Sequence, residues 1–325
     1  MKRNIKLDCL KIFLSVLVVA IHNNVVSEIP VMSHLITNGF CRIAVPCFFV
    51  INGFFVKKII SNYFLLKKYI LHLISIYVFW MAVYSPLYYK SYYYSDANTI
   101  DMKYYDLFLV CIYGYHHLWY ISALIYGIML LFYLKKIKFN DNNIKYLSII
   151  IFFIGCLIEG ISIFTPKSLF TYEPIYTQNF LFLAFPFIAL GYLIGGKNDD
   201  VEINGNINQN IIYVVFLVIL LIIDSLFRYY FNAGKSGYLY ASLFFLCPLI
   251  VTSCLHNKSF FSSSYSGYLG KMATAIYLIH PLIIKTTKFF IVGISQNQRF
   301  FLVLFFSAMS GLLLIELNKK MRFLL

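Results

Sequence analysis

The feature that most constrains this sequence is a series of apolar stretches separated by short segments that carry most of the charge. A helix needs about 20 predominantly apolar residues to cross the hydrocarbon core of a bilayer. The aromatic segment 101–115 is too short to cross together with its neighbours, and we expect it at the interface. The pattern predicts an all-α integral membrane protein of about ten transmembrane helices, over residues 7–27, 38–57, 67–89, 117–135, 144–164, 179–196, 210–231, 238–256, 269–292 and 299–318.

The composition agrees with a lipid environment. Hydrophobic residues make up 61% and charged residues 12% of the 325 residues, whereas soluble domains carry about 45–50% and about 25%. This small number of polar residues cannot cover a water-facing surface. We therefore expect the bilayer to solvate most of the chain. No linker or soluble segment is evident, and residues 1–325 are predicted to form one transmembrane domain. Asp8 and Lys11 interrupt the first stretch, and no small-residue cleavage site follows, so this stretch is expected to remain as a helix.

The net charge of +14 does not indicate nucleic-acid binding. The basic residues lie in short clusters between apolar stretches and not on one face of a soluble module. Such clusters report topology, because cytoplasmic loops of membrane proteins are enriched in Lys and Arg. Of the 27 basic residues, 17 fall on the side of the predicted bundle that holds the N-terminus and 8 on the other. Both termini are therefore predicted to be cytoplasmic.

The first predicted helix carries an unusual stripe of polar residues, namely Asp8, Lys11, Ser15 and His22. A charge near the bilayer centre costs about 2.5–3.5 kcal/mol on insertion scales, so these residues need a reason. Eleven residues separate Lys11 from His22, which is about three turns and roughly 16 Å along one helix face. The stripe could serve a membrane-embedded site, or it could merely pair with neighbouring helices, as polar bundle contacts often do.

Other predicted helices bring polar groups to the middle or outer half of the membrane. Arg42 lies at the outer end of the second helix and, because it cannot lose its proton, needs a partner or a wet cavity. His117 and Trp119 begin the fourth helix, and His280 lies about ten residues into the ninth. Together these residues predict a site that only a packed fold could assemble.

Some intramembrane charges have a simpler interpretation. Asp224 and Arg228 are four residues apart with opposite charge, and they are expected to satisfy each other. Glu159 lies near an outer helix end, and the sequence does not explain it.

Several motifs resemble the acyltransferase family 3 membrane proteins, the bacterial surface-polysaccharide O-acyltransferases, and especially the branch that includes the membrane domain of the vancomycin-resistance serine racemase. The resemblance covers nearly the whole chain, and its pieces follow in the family's order. They are residues 3–8 leading to Ala20-Ile21-His22; 42–46 with Phe48-Phe49 and Asn52-Gly53-Phe54; His117-Leu118-Trp119-Tyr120; Asn179-Phe180 with Phe185-Pro186-Phe187 and Gly191-Tyr192; and 276–281. The resemblance implies a multi-pass protein of the bacterial cytoplasmic membrane.

The resemblance also implies a donor site at the inner end of the bundle. The family pattern of a basic residue, ten residues and a histidine falls on Lys11 and His22, which makes His22 the catalytic histidine. Lys11, with Lys67 and Lys68 at the start of the third helix, would bind the phosphates of an acyl-CoA donor, most simply acetyl-CoA. His22 could act as general base toward a hydroxyl or could carry the acyl group covalently, and the sequence does not distinguish these.

The acceptor implied by the resemblance is a hydroxyl of a surface glycan or of a lipid-linked oligosaccharide. Arg42 would stabilise the developing oxyanion or anchor an acidic acceptor. The residues predicted to bind the acceptor are His117, Trp119, Glu173, Asn179 and His280. Two positions depart from the family pattern, because Asn52 replaces a frequent serine and Gln178 stands where arginine is expected.

No metal is expected, because the seven cysteines show no metal-ligand spacing. Two other functions remain open at the level of sequence. The polar stripe could conduct a small amino acid or glycan unit without any covalent chemistry, although no inverted repeat supports transport. Alternatively, the polar residues could only hold helices together.

Overall fold

A computed structural model describes residues 4–93, 100–165, 173–196, 207–231, 237–256 and 266–325. Within these ranges all regular secondary structure is helical, with no strand. Short π-helical turns at Leu35–Gly39 and Phe180–Ala184 and a 3-10 turn at His116–Leu118 interrupt the regular helices. The α-helices in chain order are α1 (Ile5–Asn23), α2 (Pro30–His34), α3 (Ala44–Val56), α4 (Tyr63–Tyr93), α5 (Ile100–Tyr113), α6 (Trp119–Lys136), α7 (Asp141–Phe164), α8 (Phe185–Ile194), α9 (Ile207–Phe231), α10 (Leu243–His256), α11 (Ser266–Phe290) and α12 (Gln296–Asn318).

The predicted class, a multi-pass helical membrane protein, agrees with this architecture. The apolar segments Phe180–Ile194 and Leu243–Leu255 are shorter than a membrane span requires. Helix α1 carries the charged residues Lys6, Asp8 and Lys11 in its first two turns. The count of ten spans and the cytoplasmic termini remain predictions. In the described part of the chain, seven helical segments are long and apolar enough to cross a membrane, namely Pro30–Val56, Tyr63–Tyr88, His116–Lys136, Asp141–Ser162, Asn210–Phe231, Gly267–Phe290 and Gln296–Asn318.

Several helix boundaries differ from the prediction. Helix α1 ends at Asn23 and not at residue 27, because Asn24 adopts a left-handed conformation with φ of 45°, which asparagine tolerates better than most residues. His22 therefore lies in the last turn of α1. The next helical segment begins at Pro30, eight residues before the predicted start of the second span. The stretch predicted at the interface, 101–115, largely coincides with the 14-residue helix α5.

Helices α3 and α8 cross at unusually close range. A Cβ atom on Gly53 would lie 2.1 Å from the carbonyl oxygen of Ile188, and one on Gly191 would lie 2.0 Å from that of Val50. Any side chain at either glycine would therefore collide with the partner backbone. Close approach through small residues is a common basis of helix association in lipid, where no hydrophobic force favours one apolar contact over another.

A buried ionic cluster ties α7 and α9 to the segment that precedes α10. Arg228 on α9 pairs with Glu159 on α7 and with Asp224 at 2.9 Å. Glu159 also accepts the backbone N–H groups of Tyr238 and Leu239 at 2.9 and 3.2 Å. The predicted pairing of Asp224 with Arg228 is present, and the cluster gives the previously unexplained Glu159 a partner.

Candidate active site

Four histidine rings from three parts of the fold lie together at one end of the bundle. The ring centroid of His22 is 5.0 Å from that of His116 and 5.2 Å from that of His280. The ring centroids of His117 and His280 are 5.3 Å apart. His117 and His280 are buried, whereas His116 is exposed. No group of three or more His, Cys, Asp or Glu side chains in the described ranges could hold a metal ion.

A sharp reversal between α5 and α6 brings His116 and His117 into this cluster. Gly114 has φ of 94° and His116 has φ of 52°. A Cβ on Gly114 would lie 2.7 Å from the backbone of Leu118, so this turn requires glycine both for its dihedral angle and for its space. The phenol of Tyr277 on α11 donates to the carbonyl oxygen of His117 at 2.5 Å and fixes the turn against α11.

Arg42 lies in the 3-10 turn Phe40–Ile43, which packs against α1. Its Nη2 donates to the side-chain oxygen of Asn38 at 2.6 Å, and its guanidinium lies 4.3 Å from the ring centroid of Tyr238. The expectation that this arginine needs a partner or a wet cavity is therefore met by partners within the protein. Its buried Nε has no hydrogen-bond partner in the described part of the chain.

The ionic cluster described above supports Arg42 indirectly. Glu159 binds the backbone of Tyr238, whose ring faces the guanidinium. The phenol of Tyr240 donates to the carbonyl oxygen of Asn38, and Asn38 is the hydrogen-bond partner of Arg42. The π-helical turn Leu35–Gly39 presents Asn38 for both contacts. The position of Arg42 therefore depends on contacts from α7 and from the segment before α10.

At the opposite end of α1, Lys11 points at the same neighbouring helices. Its ammonium lies 2.8 Å from the carboxylate of Asp8 and 5.2 Å from the ring centroid of Phe55 on α3. A Cβ on Gly270 of α11 would lie 3.8 Å from this ammonium. Because His22 contacts His280 on the same α11, Lys11 and His22 share the face of α1 that is turned into the bundle.

Other lysines gather at this end of the molecule. Lys57 and Lys135 both pair with Asp141, at 3.6 and 3.0 Å. The predicted donor-binding residues Lys67 and Lys68 are exposed at the start of α4. A cavity of about 360 Å³ between α4 and α6 is lined by apolar and aromatic side chains together with Lys67 and Lys136. Lys67 and Lys136 face this cavity, and Lys11 is not among the residues that line it.

A buried polar chain leads from the start of α4 toward the histidine cluster. The phenol of Tyr69 donates to the side-chain oxygen of Asn52 at 2.9 Å, and the amide of Asn52 donates to the phenol oxygen of Tyr120 at 2.9 Å. The Tyr120 ring lies 5.4 Å from that of Tyr277, which in turn contacts His117 at 5.3 Å. Two hydrogen bonds and two ring contacts thus connect Tyr69 of α4 with His117 of the histidine cluster.

Three of the predicted acceptor residues lie apart from the contacts that define the cluster. Asn179 uses its side chain to cap the π-helical turn Phe180–Ala184, accepting from two backbone N–H groups and donating to two carbonyl oxygens. Glu173 is exposed. Trp119 packs edge-on against Phe49, with ring centroids 6.4 Å apart. The contacts observed for Asn179 and Trp119 are structural, and substrate binding by these three residues remains a prediction.

Several residues that shape the site were not predicted from the sequence. His116 directly precedes His117, a predicted site residue. Gly114, two residues before His116, could have indicated a turn at this position. Asn38 and Tyr238 contact Arg42, yet no pattern in the chain links them to it. Tyr120 and Tyr277 lie inside the motifs that carried the family resemblance. Their rings contact each other and belong to the buried polar chain described above.

Comparisons with known proteins identify the family. Two relatives are an amino-acid racemase from Enterococcus faecalis, 28% identical over 344 residues, and a serine/alanine racemase from Enterococcus gallinarum, 26% identical over 318 residues. The alignments cover 97% and 91% of this chain but only 46% and 43% of the relatives, so the chain spans less than half their length. No solved structure matches the chain. The model of the acyltransferase domain matches residues 4–317, and the chain therefore belongs to the acyltransferase 3 family of membrane proteins.

Proposed function

We propose that this protein transfers an acyl group, most simply acetyl, from acyl-CoA on the cytoplasmic side to a hydroxyl of a cell-surface polysaccharide or its lipid-linked precursor. The observation that carries the proposal is the inward face of α1, which holds Lys11 near one end of the bundle and His22 in the histidine cluster at the other. The family supports acyl transfer in general, and the donor, the acyl group and the acceptor are parts of the proposal.

On the donor side, the lysines at the inner end bind the CoA phosphates. Lys67 and Lys68 are exposed and available for this, and Lys67 with Lys136 lines the cavity between α4 and α6. Lys11 is paired with Asp8, so its charge is partly neutralised and its contribution to phosphate binding is smaller than the sequence suggested. The extended arm of the donor then covers the roughly 16 Å between the ends of the stripe.

At the histidine cluster, His22 removes the proton of the acceptor hydroxyl. The hydroxyl oxygen forms a bond to the thioester carbonyl carbon, the carbon–sulfur bond breaks, and CoA leaves as a thiolate that is protonated afterwards. In the covalent variant, a ring nitrogen of His22 attacks the thioester carbon and expels CoA as a thiolate. The acceptor hydroxyl then displaces the imidazole from the acyl carbon, and its proton passes through His22 to the thiolate. In either case the negative charge on the carbonyl oxygen is stabilised by Arg42, whose buried Nε has no partner in the described part of the chain.

The test uses the purified full-length protein, acetyl-CoA labelled in the acetyl group, and a glycan extract of the host envelope. We expect His22→Ala to lower label transfer by about 10²–10⁴-fold, the range of general acid–base catalysis. The matched control is His72→Ala on α4, outside the cluster, which should transfer label as wild type does. Thermal unfolding of each variant in detergent separates lost chemistry from lost folding. Absence of transfer by the wild type, or full activity of His22→Ala, would contradict the proposal.

A second candidate is transport of a small amino acid or glycan unit without acyl transfer. The names of the two relatives, which refer to amino acids, favour it. Proteoliposomes loaded with labelled serine or alanine distinguish the two candidates. Flux that depends on His22, together with no transfer of labelled acetyl groups, would support transport and reject the acyltransferase.

A further inference from the structure

Helix α11 contains a proline in its interior at Pro281. Proline has no backbone N–H, so the helical hydrogen bond from residue 281 to the carbonyl oxygen of Tyr277, four residues earlier, cannot form. A carbonyl group left without a donor in a membrane-spanning helix is costly. The sequence therefore creates a local need for another donor next to Tyr277.

The ring of His280 supplies that donor. Its Nδ1 lies 2.8 Å from the carbonyl oxygen of Tyr277 and 3.2 Å from that of Ile276. Carbonyl oxygens only accept hydrogen bonds, so Nδ1 must carry the proton. In the neutral ring the other nitrogen, Nε2, is then an acceptor. Pro281 thus selects one tautomer of the preceding histidine.

The acceptor nitrogen created in this way belongs to a ring that lies within the histidine cluster. His280 is fully buried, and its Nε2 has no hydrogen-bond partner in the described ranges. A buried acceptor without a donor is costly, so an arrangement that supplies one is favoured. The His22 ring is 5.2 Å away between centroids, and a tilt of 34° separates the two planes. The terminal torsion of an imidazole side chain is broad, so rotation of His22 can direct a ring N–H at this nitrogen.

We propose that His280 is a positioning residue that accepts a hydrogen bond from a ring N–H of His22 and so directs the free lone pair of His22 toward the substrate. This inference rests on the proposed function, since it assigns a support to the residue that carries the chemistry. It differs from the direct substrate contact predicted for His280 from the sequence. The arrangement follows the general rule that the hydrogen bond at one nitrogen of a histidine determines which nitrogen is free to react.

Two substitutions at position 280 separate the two nitrogens. In His280→Asn the short amide can still donate to the carbonyl oxygen of Tyr277 but leaves the Nε2 position empty. In His280→Gln the longer amide places an oxygen acceptor near the Nε2 position. We expect His280→Asn to lower kcat by about 100-fold with KM for acetyl-CoA unchanged, and His280→Gln to recover at least a tenth of the wild-type kcat. Equal activity of both variants with wild type, or an effect confined to KM, would overturn the inference.

Pro281→Ala tests the tautomer without removing any side chain of the cluster. The alanine restores a backbone N–H, which bonds to the carbonyl oxygen of Tyr277 and displaces the ring of His280. We therefore expect kcat to fall by about tenfold, which corresponds to roughly 1.4 kcal/mol in the activation barrier. Thermal stability should stay equal or rise. Pro248→Ala is the matched control, because Pro248 is also interior to a helix but lies in α10, outside the cluster. Unchanged kcat in Pro281→Ala would contradict the role of the proline.

A measurement independent of activity keeps the inference testable if the proposed function fails. Nitrogen NMR of the full-length protein labelled at histidine reports which ring nitrogen carries the proton, and the His280→Asn spectrum assigns the signal. The expected result is a proton on Nδ1 of His280 in the wild type and its loss from that nitrogen in part of the Pro281→Ala population. A proton on Nε2 in the wild type would overturn the inference, whether or not the protein transfers acyl groups.

Discussion

Replacing Glu159 with glutamine should destabilise the fold far more than the equivalent change at Asp224. The side chains of Glu159 and Arg228 are only 2% and 7% exposed, whereas that of Asp224 is 35% exposed. Removing one partner of a buried ion pair costs about 3–5 kcal/mol. Because Arg228 retains Asp224 and the carbonyl oxygen of Leu239, we expect the lower end, about 3 kcal/mol of the free energy of unfolding.

Asp224→Asn is the matched control. Its carboxylate is partly exposed and its partner keeps Glu159, so we expect a loss of about 1 kcal/mol or less. The assay is thermal unfolding in detergent at fixed pH and salt, monitored by the fraction of protein that remains monodisperse after heating. Glu159→Gln should also lower the rate of acyl transfer at temperatures where it is folded, because Glu159 holds the backbone of Tyr238 beneath Arg42. Equal unfolding of both variants would refute the reasoning.

Two further predictions concern packing. Gly191→Ala should destabilise the protein by about 3 kcal/mol, because its Cβ would lie 2.0 Å from the carbonyl oxygen of Val50. In the control Gly160→Ala the Cβ meets nothing within 4 Å, so stability should stay unchanged or rise by up to about 1 kcal/mol. Thermal unfolding that ranks the two variants the other way would contradict the close crossing. Trp80→Phe should lower the free energy of unfolding by about 1–3 kcal/mol, because it leaves the carbonyl oxygen of Leu324 without the indole donor now 3.0 Å away. An unchanged midpoint would show that this contact with the C-terminal segment is not formed.

Local periodicity was sufficient to anticipate the stripe on α1. The spacing of Lys11 and His22 predicted one shared face, and the contacts with α3 and α11 place both side chains on it. Hydropathy also predicted the helical membrane class. Hydropathy placed the start of the second span at residue 38, whereas the helical segment begins at Pro30 and ends at Val56. The π-helical turn that contains Asn38 changes neither composition nor hydrophobicity, so the pattern does not mark it.

Contacts between distant parts of the chain were beyond local reasoning. Arg42 is held by Tyr238, and Glu159 by Arg228, and no spacing along the sequence relates these partners. Asn179 was predicted to face substrate because of its place in a family motif, yet its side chain is occupied in capping a helical turn. A motif indicates that a residue matters, whereas only the packed structure shows which neighbours it serves.

The glycine contact between α3 and α8 limits how the site can open. At Gly53 and Gly191 these two helices meet backbone against backbone, so no side chain at these points can change rotamer and let one helix slide past the other. Acyl transfer as proposed above requires substrates to enter, and products to leave, a cluster in which His117 and His280 are buried. Any opening of the cluster therefore has to come from α1, α11 and the turn before α6, whose histidines meet through side-chain contacts, while α3 and α8 stay fixed against each other.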